Sequence, residues 1–252
     1  MDNYNDLIQT ISLAMGASWA SGINLYATLL VLGLSAANGA FVLPAGLEVL
    51  SNPMVIGAAG LMYAVEFFAD KIPGVDTGWD GLHTFIRIPA GAMLAAGALG
   101  DMAPAMEITA AILGGSMAAA THATKSGSRV LINTSPEPFT NWGASISEDL
   151  VVFGGMWAAL NHPALFLLAL IVFIGLMIWL LPKLWRGIKR VFGFLGRILG
   201  FSKEEYGAKK EGIKTLGEED HLDQLAKLKN LLDNGALTQE EYDVQKAKLL
   251  QS

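Results

Sequence analysis

Two polar segments embedded in apolar sequence carry the residues that could do chemistry. They run from Glu66 to Arg87 and from His122 to Asp149. Charged groups among apolar residues are costly unless they pair or line a water-filled cavity, so in membrane proteins they commonly mark a functional site. Within residues 1–182, the two segments contain all four basic side chains. The candidate binding residues are Glu66, Asp70, Lys71, Asp76, Asp80, Arg87, Lys125, Arg129, Asn133, Glu137, Asn141, Glu148 and Asp149.

These residue types predict a mixed-charge binding site. The four basic side chains would engage an anionic group, such as a phosphate or a lipid headgroup. Glu66, Asp70 and Glu148 would balance those charges or carry a coupling proton. A purely structural interpretation stays open, in which Glu66 lies at the membrane interface and pairs with Lys71 or Arg87.

Neither a metal site nor a catalytic site is predicted. Asp76, Asp80 and His83 are of types that bind divalent cations, but their spacing matches no metal-binding motif. The chain has no phosphate-binding GxxxxGK[ST] motif, and neither GxSxG nor HExxH occurs. Cysteine is absent, which excludes disulfides and thiolate chemistry. We therefore expect no enzymatic activity, no cofactor and no nucleic-acid partner.

The elements that position these residues are predicted to be membrane helices. The chain is 52% hydrophobic and 16% charged, whereas a soluble domain carries about 25% charged residues. We predict an all-α, polytopic membrane helix bundle with about six hydrophobic segments. The first helix covers roughly residues 8–36, with local unwinding near Ser21 and Gly22. Glycine and alanine are expected at close helix contacts, namely at Gly57, Gly60, Gly91, Ala95, Gly114, Gly115, Gly154 and Gly155.

Two of the six segments are short. The stretches 88–100 and 150–160 follow the two polar segments, and the longer of them covers only about 20 Å as a helix, against the ~30 Å of a bilayer core. They either span or are re-entrant. We expect the preceding polar segments to be loops that dip toward the midplane, because irregular backbone at that depth persists only when it is buried or lines water.

The placement of basic residues predicts the orientation in the membrane. With six crossings, all 17 Lys and Arg residues fall on one side, together with both chain ends. Cytoplasmic loops carry an excess of Lys and Arg. The prediction is a multi-pass protein of the bacterial inner membrane with a cytoplasmic C-terminus.

A basic amphipathic segment follows the transmembrane domain, which we place at residues 1–182. Within residues 183–201, Lys183, Arg186 and Arg190 share one helical face. Such a helix is expected to lie on anionic lipid headgroups, although simple positive-inside anchoring would explain the same pattern. Residues 202–219 are charged and contain glycine, which predicts a linker.

Residues 220–252 are predicted to form a helical hairpin. Leucines recur at three-to-four spacing, Asn234-Gly235 suits a helix end, and Thr238 with Glu241 forms a capping box. The sequence DQLAKLKNLLDNGALTQEEYDVQKAKLL resembles the short C-terminal domain called SHOCT. The resemblance implies an interaction or oligomerisation module, which would dock on a second copy or on a protein partner.

The membrane part also resembles a known family. The stretches FFADKIPGVDTGWDGLHTFIRIPAGA and SRVLINTSPEP look like the bacterial polytopic family called domain of unknown function 4126. The resemblance implies a six-helix inner-membrane protein and no particular substrate.

Two functions fit these expectations. The first is a small transporter or channel-like protein with a mixed-charge site, handling an anionic or lipid-phosphate substrate. The second is a membrane scaffold or regulator that oligomerises or recruits partners through its C-terminal hairpin.

Overall fold

The computed structural model describes residues 2–100, 102–134, 138–198 and 224–249. These residues form α-helices and one 3₁₀ helix and contain no β-strand, as the sequence predicts. The chain divides into two units between Val191 and Phe192. The helices are α1 (Asp2–Ala37), a 3₁₀ helix (Ala45–Ser51), α2 (Pro53–Ala69), α3 (Val75–Ala98), α4 (Pro104–Ile132), α5 (Pro138–Asn161), α6 (Pro163–Ile198), α7 (residues 224–233) and α8 (Gln239–Leu249).

Two helices of the described residues are long and apolar enough to cross a membrane. These stretches are Tyr4–Ala37 in α1 and Pro163–Gly193 in α6. The 3₁₀ helix and α2 would make a third span if the pair, bent by 69°, crosses as one unit. The apolar helices therefore mark a membrane protein with two or three clear candidate spans. The predicted count of about six is not confirmed.

The expectation of two polar loops was wrong, because most of both segments is helical. The 24-residue α3 starts at Val75, α4 continues to Ile132, and α5 starts at Pro138. The short stretches 88–100 and 150–160 therefore belong to the C-terminal halves of longer helices. At 1.5 Å per residue, 24 residues extend about 36 Å, which exceeds the ~30 Å of a bilayer core.

The helix α1 lies at the centre of the first unit, where it contacts α2, α3, α4 and α5. Its backbone leaves helical geometry at Asn24 (φ −146°, ψ 99°), close to the unwinding predicted at Ser21–Gly22. The Ala27 amide donates to the Asn24 side-chain oxygen at 3.0 Å instead of to the Ile23 carbonyl, as a regular helix would require. The break thus frees one backbone carbonyl inside the bundle.

Close contacts between α1, α3 and α4 depend on small residues. The Ser18 hydroxyl donates to the Gly91 carbonyl at 2.8 Å. A Cβ at Gly114 would lie 2.8 Å from the same carbonyl. Gly57 and Gly154, which we expected at similar contacts, have no heavy atom within 4 Å of such a Cβ. The predicted close helix packing is therefore confirmed at Gly91 and Gly114. The same prediction is wrong at Gly57 and Gly154.

The helix α6 continues past the predicted domain boundary at residue 182. Pro182 lies inside it, and residues 183–198 extend the same helix rather than forming a separate one. Leu184 approaches Gly127 of α4, because glycine leaves room for it there. Contact between residues 183–201 and anionic headgroups stays a prediction, and the predicted linker at 202–219 lies outside the described residues.

The second unit contains the predicted hairpin. Gly235 adopts φ +72° between α7 and α8, a conformation that glycine tolerates without strain. The Thr238 amide and hydroxyl donate to the Glu241 carboxylate at 3.0 and 2.9 Å, which confirms the capping box. These bonds lower the pKa of Glu241, since they stabilise its charged form. No residue of α8 is buried.

Candidate functional site

The charged residues of the two polar segments meet in one buried cluster between α2, α3, α4 and α5. We call it the charge network. Three cations each pair with two or more carboxylates, and all but one of its members are buried. The network consists of Glu66, Asp70, Asp76, Asp80, Arg87, Lys125, Arg129 and Glu148.

Helical periodicity brings these residues together. On α3, Asp76, Asp80 and Arg87 are separated by four and seven residues, so they share one face. On α4, Lys125 and Arg129 are four residues apart. Each helix therefore presents a polar stripe inward, while its remaining surface stays apolar.

Arg87 links α3 to α2 and α4. Its guanidinium pairs with the Glu66 carboxylate and with Asp80 at 3.1 Å. It also lies 3.1 Å from Nδ1 of His122. Arg87, Glu66 and Asp80 are each 0% exposed, so no water replaces a lost partner readily.

Lys125 lies at the centre of the network. Its ammonium is 2.7 Å from Asp70, 3.4 Å from Glu66 and 3.5 Å from Glu148. It also donates to the Ile23 carbonyl at 3.1 Å, the group that the break at Asn24 releases. The distortion of α1 and the position of Lys125 are thus parts of one arrangement.

Arg129 connects α4 to α5. Its Nη2 and Nε donate to the two Glu148 oxygens at 2.7 and 3.3 Å, a fork geometry that favours arginine over lysine. Its Nη1 donates to the Asn141 carbonyl at 3.2 Å and to the Asp70 carbonyl at 3.1 Å.

Amide side chains complete the polar region. Asn133 donates to both oxygens of Asp76 at 2.8 and 3.0 Å. Asn141 donates to the side-chain oxygen of Asn133 at 2.7 Å. Asp76 also accepts from the Gly74 and Thr77 amides, so it stabilises the start of α3 as well.

Lys71 and Asp149 lie beside the network. The Lys71 ammonium donates to Ser145 at 3.3 Å and lies 2.9 Å from the centre of the Phe67 ring. Among the described residues it has no carboxylate within 4 Å, so the alternative pairing of Glu66 with Lys71 is wrong and that with Arg87 is formed. Asp149 accepts from the Asn24 side chain at 3.1 Å.

Every predicted binding residue that the structure describes lies in or beside this cluster, whereas Glu137 lies outside the described residues. Some residues that contact the cluster were not among the predicted binding residues. Asn24 anchors Asp149 and Ser145 accepts from Lys71. The signal for Asn24 was available, because an amide in an uncharged run from residue 7 to 47 requires a buried partner.

Carboxylates of the cluster already balance most of the four basic side chains. Three of the four already pair with carboxylates within the described residues. The cluster with its neighbours Lys71 and Asp149 contains four basic and six acidic groups, a formal charge of −2. Glu66 Oε2, Asp70 Oδ1 and Asp80 Oδ2 accept no hydrogen bond from the described residues. The cluster therefore carries carboxylate oxygens that the described residues leave without a donor.

One side of the network opens into a cavity of about 200 Å³. Glu148 is the most accessible member of the network, with 18% of its side chain exposed, and it forms part of the cavity wall. The polar wall residues are Thr121, Thr124, Lys125, Ser128, Ser147 and Glu148. Within the described residues no group of three or more His, Asp or Glu side chains is arranged to hold a metal ion.

Comparison with protein families finds two matches along the chain. A family model described as Domain of unknown function (DUF4126) matches residues 11–183. The chain belongs to this family. The model of the short C-terminal domain, SHOCT, matches residues 223–250. No curated protein and no solved structure matches the chain.

Proposed function

We propose that this DUF4126 protein is a small membrane transporter in which the anionic group of a solute replaces Glu148 at Lys125 and Arg129. The observation that carries the proposal is the position of Glu148. It binds both cations, at 3.5 and 2.7 Å, and it is the only network member that is not buried. A carboxylate at the wall of a cavity is the partner that an incoming anion displaces most readily.

The composition of the network supports a functional role over a stabilising one. A buried ion pair rarely adds stability compared with well-packed apolar side chains, because desolvation offsets the Coulomb attraction. Ionisable groups inside a membrane protein typically belong to substrate or proton pathways. A bundle that needed only stability would have no use for three cations and five carboxylates at its centre.

The surplus of acidic groups predicts proton coupling. An anion entering a cluster with a formal charge of −2 raises the local negative charge further. A proton that enters with the anion relieves that repulsion, because it offsets the added negative charge. Anion entry is therefore expected to accompany proton uptake and to strengthen as the pH falls.

The packing of α5 supports a movable contact at Glu148. The helix α5 packs extensively on α1 but much less on α4, and the Arg129–Glu148 pair bridges the weaker interface. Separation of this pair would widen the cavity at Lys125 and Arg129. We place the protein in the bacterial inner membrane with its C-terminus in the cytoplasm, following the distribution of basic residues.

Transport requires that the cavity be reachable from both faces of the membrane. Because the chain has no cysteine, single cysteines at Thr124, Ser128 and Ser147 report on the cavity wall. We expect a membrane-impermeant maleimide to label these positions in both right-side-out and inverted vesicles. Ser116, exposed on α4 away from the cavity, is the control and should resist labelling because it faces lipid.

A matched pair of variants connects the labelling to the charge network. Glu148→Gln weakens the link between α4 and α5 and should change the ratio of labelling from the two faces. Glu107→Gln removes a carboxylate from α4 that does not belong to the network and should leave the ratio unchanged. Labelling of the cavity wall from a single face in every variant would rule out the transporter.

A further inference from the structure

A second, apolar cavity lies next to the polar one. It is a groove of about 560 Å³ between α5 and α6, with Trp19 of α1 at its base. Val151 and Phe173 line both cavities. The two therefore adjoin, and together we call them the cleft, with a polar end at Lys125 and an apolar end that runs along α5 and α6.

The apolar part of the cleft is shaped by particular residues. The Trp19 ring packs edge-on against Phe166 and Phe173, with centroids 5.8 and 5.7 Å apart, and so holds α6 against α1. Opposite α6, Gly154 has open space where a side chain would project, because no heavy atom lies within 4 Å of the point that a Cβ would occupy. Residues without long side chains on α5 thus keep the groove wide.

We propose that this cleft binds a single-chain amphiphile with an anionic head, which is the substrate class of the transporter. The chain lies in the α5–α6 groove, and the head lies in the polar cavity at Lys125. The displacement of Glu148 by the head rests on the proposed function, whereas occupation of the groove does not.

The polarity of the two ends carries the assignment. If the cleft opens toward the bilayer, the hydroxyls and charges of its polar end would face acyl chains. Unsatisfied polar groups in hydrocarbon are costly. A polar group that covers this end of the cleft removes that cost. A headgroup joined to a chain satisfies both ends together. A soluble anion would leave the groove without a partner that fits it.

A single chain fits better than two. Another apolar cavity, of about 350 Å³, lies between α1, α3 and α4 near Met15 and Met106. It shares no lining residue with the polar cavity, so it does not offer an adjoining groove to a second chain attached to the same head.

Photo-crosslinking of the full-length protein in lipid nanodiscs tests the assignment. The probe is hexadecyl phosphate that carries a diazirine on its chain, and adducts are mapped by peptide mass spectrometry. We expect adducts on α5 and α6 around Gly154 and Leu170. Competition by unlabelled hexadecyl phosphate should exceed that by dihexadecyl phosphate, by hexadecyltrimethylammonium and by inorganic phosphate, by about tenfold or more in effective concentration.

Two glycine variants give the matched control. Gly154→Leu fills the groove and should reduce the crosslinking yield by about tenfold, equivalent to ~1.4 kcal/mol of binding. Gly57→Leu adds the same side chain at an open position on α2, outside the cleft, and should leave the yield unchanged.

The outcomes separate the two proposals. Adducts spread over the exposed face of α6, or equal loss in both glycine variants, would overturn the amphiphile assignment. Competition by inorganic phosphate as strong as that by hexadecyl phosphate would also overturn it, while leaving anion transport intact. Specific crosslinking together with cavity labelling from only one face would retain the binding site and reject transport.

Discussion

At the scale of single residues, Lys125 illustrates how this bundle accommodates charge. Its ammonium has three carboxylates within 3.5 Å and the Ile23 carbonyl at 3.1 Å. That carbonyl is free only because the Asn24 side chain takes its usual amide partner. The charge of Lys125 is therefore stabilised by groups from several other helices and not by its own helix.

Arg87→Met should destabilise the protein strongly. The change leaves Glu66 without its closest partner in a fully buried position, and breaking a buried pair costs about 3–5 kcal/mol. The free energy of unfolding of the purified protein, measured by denaturant titration in mixed micelles, should fall by that amount. The double variant Arg87→Met/Glu66→Gln should recover part of the loss, since it also removes the uncompensated carboxylate.

Lys71→Met provides the matched comparison. Lys71 contacts Phe67 and Ser145 and has no described carboxylate within 4 Å, so its loss should cost about 1–2 kcal/mol. Equal effects of Arg87→Met and Lys71→Met would mean that the ion pairs of the network contribute nothing beyond packing.

At the scale of elements, α3 shows which features could be predicted from the sequence and which were missed. Residue types alone located the cluster, because charges inside apolar sequence need partners. Helix boundaries were missed, because we treated polar residues as evidence for loops. Asp76, Asp80, His83 and Arg87 recur at helical spacing, and reading the polar residues for periodicity, as is usual for apolar ones, would have predicted α3.

Other features could not be predicted from one sequence. The partner of each charge depends on how α1 to α5 pack, and residues up to 102 positions apart meet at Lys125. The adjacency of the two cavities likewise depends on the placement of α6 against Trp19. Such contacts depend on tertiary geometry, which local periodicity does not encode.

Gly114→Val should loosen the contact between α1, α3 and α4. A Cβ at Gly114 would lie 2.6 Å from the Ser18 hydroxyl and 2.8 Å from the Gly91 carbonyl, so the helices must separate, at about 1–3 kcal/mol. Gly57→Val adds the same β-branched residue at an open helical position and controls for helix propensity. Thermal unfolding in detergent measures both, and equal melting temperatures would contradict the close packing.

At the scale of the whole molecule, the chain has a buried polar centre in its first unit and a helical hairpin in its second. In the second unit, Leu231 and Val244 are exposed, and a hairpin of this size buries too little apolar surface to be very stable alone. A SHOCT module of this kind is therefore expected to associate with a copy of itself or with another protein. That role is compatible with either a transporter or a scaffold, so the hairpin alone does not decide between them.

Deletion of residues 202–252 separates the two roles. The charge network and both parts of the cleft lie within residues 19–173, so labelling of cavity cysteines from both faces should persist in the truncated protein. Self-association, measured by light scattering of the purified protein in detergent, should decrease. The full-length double variant Leu231→Glu/Val244→Glu should reproduce that decrease, because buried carboxylates oppose docking of an apolar surface. If the truncated protein keeps its thermal stability but loses labelling from one face, the hairpin controls the membrane part, and the scaffold or regulator becomes the better description.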